Sequence, residues 1–359
     1  MNAVRTYRRT QGRSRSGRAG SEEVAVSRTA RGWGGVATMA AACALTVTAA
    51  LSPLGVGPLA GVPAAVRAST SVPSAGTPIA HGQYAAATDA GTCAAPEASL
   101  SPSSGSTDGA AVERIRKRGR LIVGVDQNSY LWGFRDPETG AIAGFDIEIV
   151  KAVAQDILGS SAKVQYLTVP TNKRVPDIQE HKVDMVVRTM SITCDRLQKV
   201  AFSIPYFEAG QQLLVPKDSA ITGYDDSLKG RTVCTASSST GQAKLEQDAH
   251  GARVKAVDNQ LDCLVLLQLG QVDAVFTDNA LAAGQAAQDP TVHVVGSPVT
   301  KEPYGVAMNL DDKDLVRRVN QVLTAYEAGG ANSAWMHSYE KWLAKDLPGV
   351  TGPPEPTYQ

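Results

Sequence analysis

The order of apolar runs along the chain predicts an α/β protein made of two lobes that face each other across a cleft. Three observations carry this. β-Branched runs alternate with helix-period segments from about residue 112 to 343, the pattern of helices covering mostly parallel sheets. The 359 residues exceed one typical domain of about 100–200. Two segments also rhyme: VDMVVRTMS from Val183 and VDAVFTDNA from Val272 each contain Val-Asp, an apolar strand and then a polar residue at its carboxyl end. Ligands of open α/β sheets bind outside that end of the strands.

The elements follow in order. AVERIRKRGR (Ala111–Arg120) is a short basic helix, and LIVGVD (Leu121–Asp126) is a strand apolar enough for burial on both faces. A Pro-Glu-Thr-Gly turn precedes an apolar-periodic helix from Asp146 to Leu158. AKVQYLTV (162–169) is a strand, RVPDIQEHK (174–182) a short helix and VDMVVRTMSI (183–192) a strand. Strands QQLLVPK, RTVCTA, VKAVD, VDAVFTD and VHVVGS then alternate with helices STGQAKLEQDA, LDCLVLLQLG and NALAAGQAAQ. YGVAMNL is a last strand, and DLVRRVNQVLTAYEAGG and SAWMHSYEKWL are helices. The tail from 346 to 359 is Pro-rich and reads as extended.

The first third is different. Residues 1–32 carry eight arginines against Glu22 and Glu23, and Trp33–Val66 carries no charge at all. A basic head before an apolar run is an export signal, with the arginines on the cytoplasmic side. Three forms are open for residues 33–68: a cleaved signal peptide ending near Val66-Arg67-Ala68, an uncleaved anchor, or lipidation at Cys43 in AAAC. All three place the remainder outside the cytoplasm, on the extracellular side of the membrane. Residues 69–111, rich in Ala, Ser, Thr, Pro and Gly, read as a flexible linker, with order beginning near Val112. Apart from Cys43 there are four cysteines, Cys93, Cys194, Cys234 and Cys263, with no Cys-x-x-Cys spacing. In an exported protein this predicts two disulfides, with three connectivities open.

Zero net charge argues against a nucleic-acid partner. The five histidines lack metal-ligand spacing, and there is no Gly-x-Ser-x-Gly elbow or phosphate loop. No catalytic set, metal or cofactor is expected. A binding site is. In a strand Thr189, Ser191 and Thr193 share one face, a helix from about Asp195 offers free N–H groups, and Arg196 adds a planar donor fork for a carboxylate. The plain alternative is a hydroxyl-capped helix with a solvated arginine. Asp278, where VDAVFTD meets a helix, is either an N-cap or the partner of an ammonium. Arg196 and Asp278 together would recognise a zwitterion. Thr240, after the Ser-rich stretch from Ser237, either caps a helix or serves the same anion. Arg174 in PTNKRVP is either a solvated loop cation or the receptor of a second carboxylate. Trp132 in YLWGF either walls the pocket or packs in the core.

These motifs, GFDIEIVKAVA, RVPDIQEHKVDMVVRTMSITCDRLQKVAFSIPYFEAGQQLLV, LKGRTVCTASSSTG, LGQVDAVFTDNALAAG and EPYGVAMN, occur in an order that resembles the extracellular solute-binding proteins for polar amino acids. The likeness runs from about Val112 to Leu343, nearest the glutamate/aspartate/glutamine branch and its actinobacterial lipoproteins. The resemblance implies the type II periplasmic-binding-protein fold, with lobe one at about 112–214 plus 301–345, lobe two at 215–300, and a hinge of two crossovers near Val215 and Val299–Pro303. It implies capture of glutamate, aspartate, glutamine or asparagine by a non-enzymatic monomer. The partner would be an ABC permease or a membrane sensor. Arg196 would clasp the α-carboxylate with Ser191 and the backbone near Thr240. Asp278 and a carbonyl or hydroxyl at Thr189 would hold the α-ammonium, and Thr171 and Arg174 would meet the side-chain carboxylate. Asp126, where some acidic-amino-acid binders have arginine, and Cys194, where many relatives are acidic or polar, depart from the pattern. The fold so implied puts Cys234 and Cys263 in one lobe and pairs them, which leaves Cys93 with Cys194.

Overall fold

The computed structural model describes residues 93–359. The basic head, the charge-free run with its three export readings, and Cys43 lie outside the described residues. Two five-stranded sheets organise the rest. The first runs Val164–Thr168, Leu121–Val125, Met185–Val186, Ala307–Met308, Ala201–Phe202, and the second Arg253–Val257, Thr232–Ala236, Ala274–Asp278, Gln211–Pro216, Val292–Val295. In each, the first three strands are parallel and the fourth is antiparallel to both of its neighbours. Four of the five strands in each sheet therefore run the same way, as the expectation of mostly parallel sheets has it, with one reversed strand in each. The reversed strand of each sheet is the one that enters from the other lobe, so no covering helix sets its direction.

The two rhyming segments occupy the same place, third strand of their sheets. Their shared Val-Asp has a structural use: Asp184 Oδ2 accepts from Ile122 N at 2.8 Å and Asp273 Oδ2 from Thr232 N at 2.6 Å, which ties each strand's start to its neighbour. The strand expected over 183–192 is a regular strand only at Met185–Val186, with a further antiparallel bridge from Ser191 to Tyr304. The chain then turns at Thr189, whose φ of 43° lies in the left-handed region that a β-branched residue rarely adopts.

The lobes are joined by an antiparallel pair, Phe207–Ala209 with Glu302–Tyr304. The first crossover thus lies before Gln211, and Val215 is an interior residue of the second sheet. An apolar run such as QQLLVP fits either sheet, so only its pairing partners reveal the lobe. Aromatic side chains fill the space beneath the crossing: Phe207 packs edge-on to Trp132 and Phe145 and stacks with Tyr304 and Trp335. All five are buried. Trp132 and Trp335 satisfy their indole N–H groups on the carbonyls of Ala280 and Tyr206, at 3.0 and 2.7 Å, as buried indoles require.

The end of the expected linker is ordered well before Val112. Buried Ser99 donates to Phe202 O at 2.6 Å and accepts from Asn320 Nδ2 at 2.8 Å, while its backbone exchanges hydrogen bonds with Thr357 and Gln359. The Pro-rich tail is extended and pairs there too. Backbone pairing and a covalent tether hold these segments, alongside packing of Leu100, Leu347 and Val350 on the core, and composition reports neither the pairing nor the tether. The tether is one of two disulfides, Cys93–Cys194 and Cys234–Cys263, the pairing that the resemblance implied. Closing a loop of about 100 residues restricts the unfolded chain more than one of about 30. Cys93→Ser/Cys194→Ser should therefore lower unfolding stability by about 2–4 kcal/mol, read as a drop in the urea midpoint. A midpoint equal to that of the wild-type chain would contradict this.

Candidate functional site

A small cavity lies between the two sheets, lined by Thr171, Arg174, Arg188, Thr189, Ser191 and Arg196 from the first lobe and by Gln211, Thr240, Gln260 and Asp278, among others, from the second. Seven of the eight binding residues anticipated above line it. The eighth, Trp132, does not; it is buried in the aromatic cluster, where its N–H is already spent on Ala280 O.

Arg196 stands on the short helix Cys194–Leu197, which Thr193 caps by accepting from Arg196 N at 3.3 Å. Thr193 thus takes the plain capping role, while Ser191 and Thr189 reach the cavity. The Arg196 guanidinium spans the cleft: Nη1 donates to Ser191 O at 2.7 Å, and Nη2 donates to Ser238 O of the other lobe at 3.1 Å. Ser191 Oγ lies 3.5 Å from Thr240 Oγ1, again across the cleft. A third crossing joins Thr171 N to Asp258 O at 3.1 Å and Asn172 Nδ2 to Asp258 Oδ1 at 2.7 Å. The lobes are in contact around the cavity.

Asp278 ends the strand Ala274–Asp278 and precedes the helix Asn279–Gln288, yet its side chain makes no capping bond. It turns instead to Tyr304 OH, which donates at 2.6 Å, and to Gln211 Nε2. Burial, then the nearby Glu302 carboxylate, pushes its pKa up to about 7, against the pull of Tyr304, Arg174 and Arg196. Two donors leave the carboxylate with spare acceptor capacity.

Arg174 is 4 % exposed, not a solvated loop cation. It begins the helix Arg174–Gln179 and donates from Nε to Thr171 O at 3.1 Å and from Nη1 to Arg188 O at 3.3 Å. Burial first, then the guanidiniums of Arg196 and Arg188, press its pKa down, while Asp278 and Asp126 pull the other way.

Among the residues near the site that escaped the sequence reading are Arg188, Gln211, Gln260 and Asp146. Arg188 lies inside a run that reads as a plain apolar strand, and the two glutamines begin ordinary elements. Asp146, in the first turn of the helix Phe145–Leu158, accepts from Thr189 N at 3.1 Å and Tyr206 OH at 2.8 Å. It holds the strained Thr189 turn in place, and burial raises its pKa to about 7. The legible hint was Asp126, which departs from a basic residue; its carboxylate lies 2.6 Å from Arg188 Nη2. Three residues that line the cavity carry a buried polar atom with no hydrogen-bond partner: Arg188 Nε, Gln211 Oε1 and Gln260 Nε2. Each such group costs about 1–3 kcal/mol, so the cavity is built for a polar guest.

The bacterial extracellular solute-binding proteins, family 3, match residues 121–345 of the chain. A glutamine-binding protein of Geobacillus stearothermophilus is 42% identical over 203 residues, covering 56% of this chain and 78% of that protein. The ABC transporter glutamine-binding protein GlnH of Bacillus subtilis is 36% identical over 232 residues, covering 65% and 84%. Among solved structures, an ancestral arginine-binding protein bound to glutamine superposes with a TM-score of 0.58 at 36% identity, covering 63% of this chain and 98% of that one. The matched segment contains both sheets, the hinge pair and every cavity residue named above, and the chain belongs to the bacterial extracellular solute-binding proteins, family 3.

Proposed function

We propose that the protein captures a polar or acidic L-amino acid (glutamate, glutamine, aspartate or asparagine) between its lobes, outside the cytoplasm, and presents it to an ABC importer without catalysing a reaction. The observation that carries this is the pairing of opposite charges on opposite walls of one buried cavity, Arg196 from the first lobe and Asp278 from the second. An α-amino acid is the small molecule whose own two charges complement such a wall. Arg196 would give its fork to the α-carboxylate, helped by Ser191 and Thr240. Asp278 would take the α-ammonium with the Thr189 carbonyl or hydroxyl. Thr171 and Arg174 would face the side chain. The unpartnered donors and acceptors on the wall support a polar side chain, and the relatives named for glutamine support the same class. A guest that touches both lobes favours their closure by its differential affinity for the closed form.

Calorimetric titration of the protein with the twenty amino acids should give one-site binding for members of this class; no heat with any of them would refute the reading. Arg196→Ala should weaken binding about 100-fold or more, since it removes charge-assisted hydrogen bonds. Arg174→Ala should cost the acidic ligands more than the amides. Affinity should also depend on pH through Asp278. Its carboxyl is raised to about 7 and must be ionised to hold an ammonium, so affinity should fall by up to about tenfold per pH unit below that point. Stability of the unliganded protein should move the other way. A carboxyl raised by burial keeps a proton in the folded state that the unfolded chain has lost, so stability is higher at pH 5 and declines toward pH 8. Asp146 contributes with the same sign. Thermal unfolding at the two pH values reads this, and a higher midpoint at pH 8 would contradict it.

A further inference from the structure

We propose that Arg188 reads the side chain of the bound amino acid, so that tight binding requires a side chain ending in an acceptor, carboxylate before amide. This rests on the amino-acid reading of the cleft and asks what decides among its candidate ligands.

Three features single out Arg188. It lines the cavity while only 3 % exposed, just past the strand Met185–Val186, at the sheet end where ligands bind. It is also held still. Nη1 donates to Thr171 Oγ1 at 3.0 Å, and Nη2 stands 2.6 Å from Asp126 Oδ2. Asp126 is itself fixed by Gln127 N at 2.8 Å, Asn128 N at 3.0 Å and Ser129 Oγ at 2.7 Å. Nη2 is engaged in the ion pair with Asp126, and Nε is left without an acceptor. A rigid guanidinium with an unspent Nε–H on a cavity wall is a waiting hydrogen-bond site for an oxygen.

Charge then ranks the guests. Asp126 compensates Arg188, whereas Arg174 gives its bonds to backbone carbonyls and has no ion pair among the described residues. Beyond the Arg196–Asp278 clamp, beside which the buried Glu302 carboxylate lies, the wall therefore presents one guanidinium, that of Arg174, with no ion pair of its own. A carboxylate gains both the hydrogen bonds and the charge, an amide gains only its carbonyl's share, and a guanidinium or ammonium side chain meets like charge. The cleft ranks glutamate or aspartate over glutamine or asparagine, and these over arginine.

The test titrates the full chain and two variants with L-glutamate, L-glutamine and L-arginine. Asp126→Asn/Arg188→Gln removes both members of the buried pair, so no lone charge is left, and thermal unfolding verifies that it folds. Arg188→Lys keeps the charge and removes the fork. Glutamate should bind the wild-type chain more tightly than glutamine, and arginine should bind far more weakly. In the double variant glutamate should lose about 10- to 100-fold and glutamine less, bringing their ratio toward one; Arg188→Lys should lie between. An equal loss for both ligands would make Arg188 a structural residue only, and wild-type binding of arginine as tight as glutamate would overturn the ranking. An unchanged ratio in Arg188→Lys overturns the proposal even where the double variant does not fold. Binding of no amino acid by the wild-type chain is the separate result that removes the amino-acid reading itself.

Discussion

Two three-residue strands, Phe207–Ala209 and Glu302–Tyr304, are the constraint on which everything else here depends. They are the paired crossing between the sheets, and they cross over a floor of aromatic rings. Tyr304 shows how closely hinge and site are joined. Its ring stacks on Phe207, its carbonyl accepts from Tyr206 N, and its hydroxyl donates to Asp278. A carboxylate that one lobe carries is thus oriented by a residue of the hinge. Any movement between the lobes alters the hydrogen bonding of the group that would hold an ammonium.

The cleft itself is a set of opposing costs. Three guanidiniums and a carboxylate share one small buried space, with further donors and acceptors left unpaired. Burying a charge or an unpaired polar group is unfavourable, and the aromatic floor, the two sheets and the cross-cleft hydrogen bonds together hold the arrangement. Such a site is destabilising by itself and stabilised by the right guest. This is the energetic form of a receptor that closes on its ligand.

The tether at Cys194 links the site to the start of the ordered chain. Cys194 opens the four-residue helix that carries Arg196, a helix too short to persist without outside support. Cys93 supplies that support covalently, and Thr193 supplies it by capping. The segment after Cys93 is in turn pinned by Ser99 to the edge strand Ala201–Phe202 and to the C-terminal tail. The Arg196 fork is therefore held from two sides.

Much of this was open to a reader of the sequence. Local pattern dictated the alternation of strands and helices, because each element carries its own periodicity. Type and order of residues singled out Arg196, Asp278, Arg174, Ser191 and Thr240, because few residue types suit a zwitterion. What the chain alone left undecided was everything that depends on a distant partner. Trp132 was as good a pocket wall as a core residue until Ala280 O claimed its N–H. Arg188 looked like an interruption in a strand until Asp126, 62 positions earlier, lay against it. QQLLVP could belong to either lobe, and the fourth strand of each sheet runs against its neighbours because the chain arrives from the other lobe. Periodicity speaks for neighbours in sequence, whereas side-chain pairing, strand direction and burial of charge are settled only when remote segments meet.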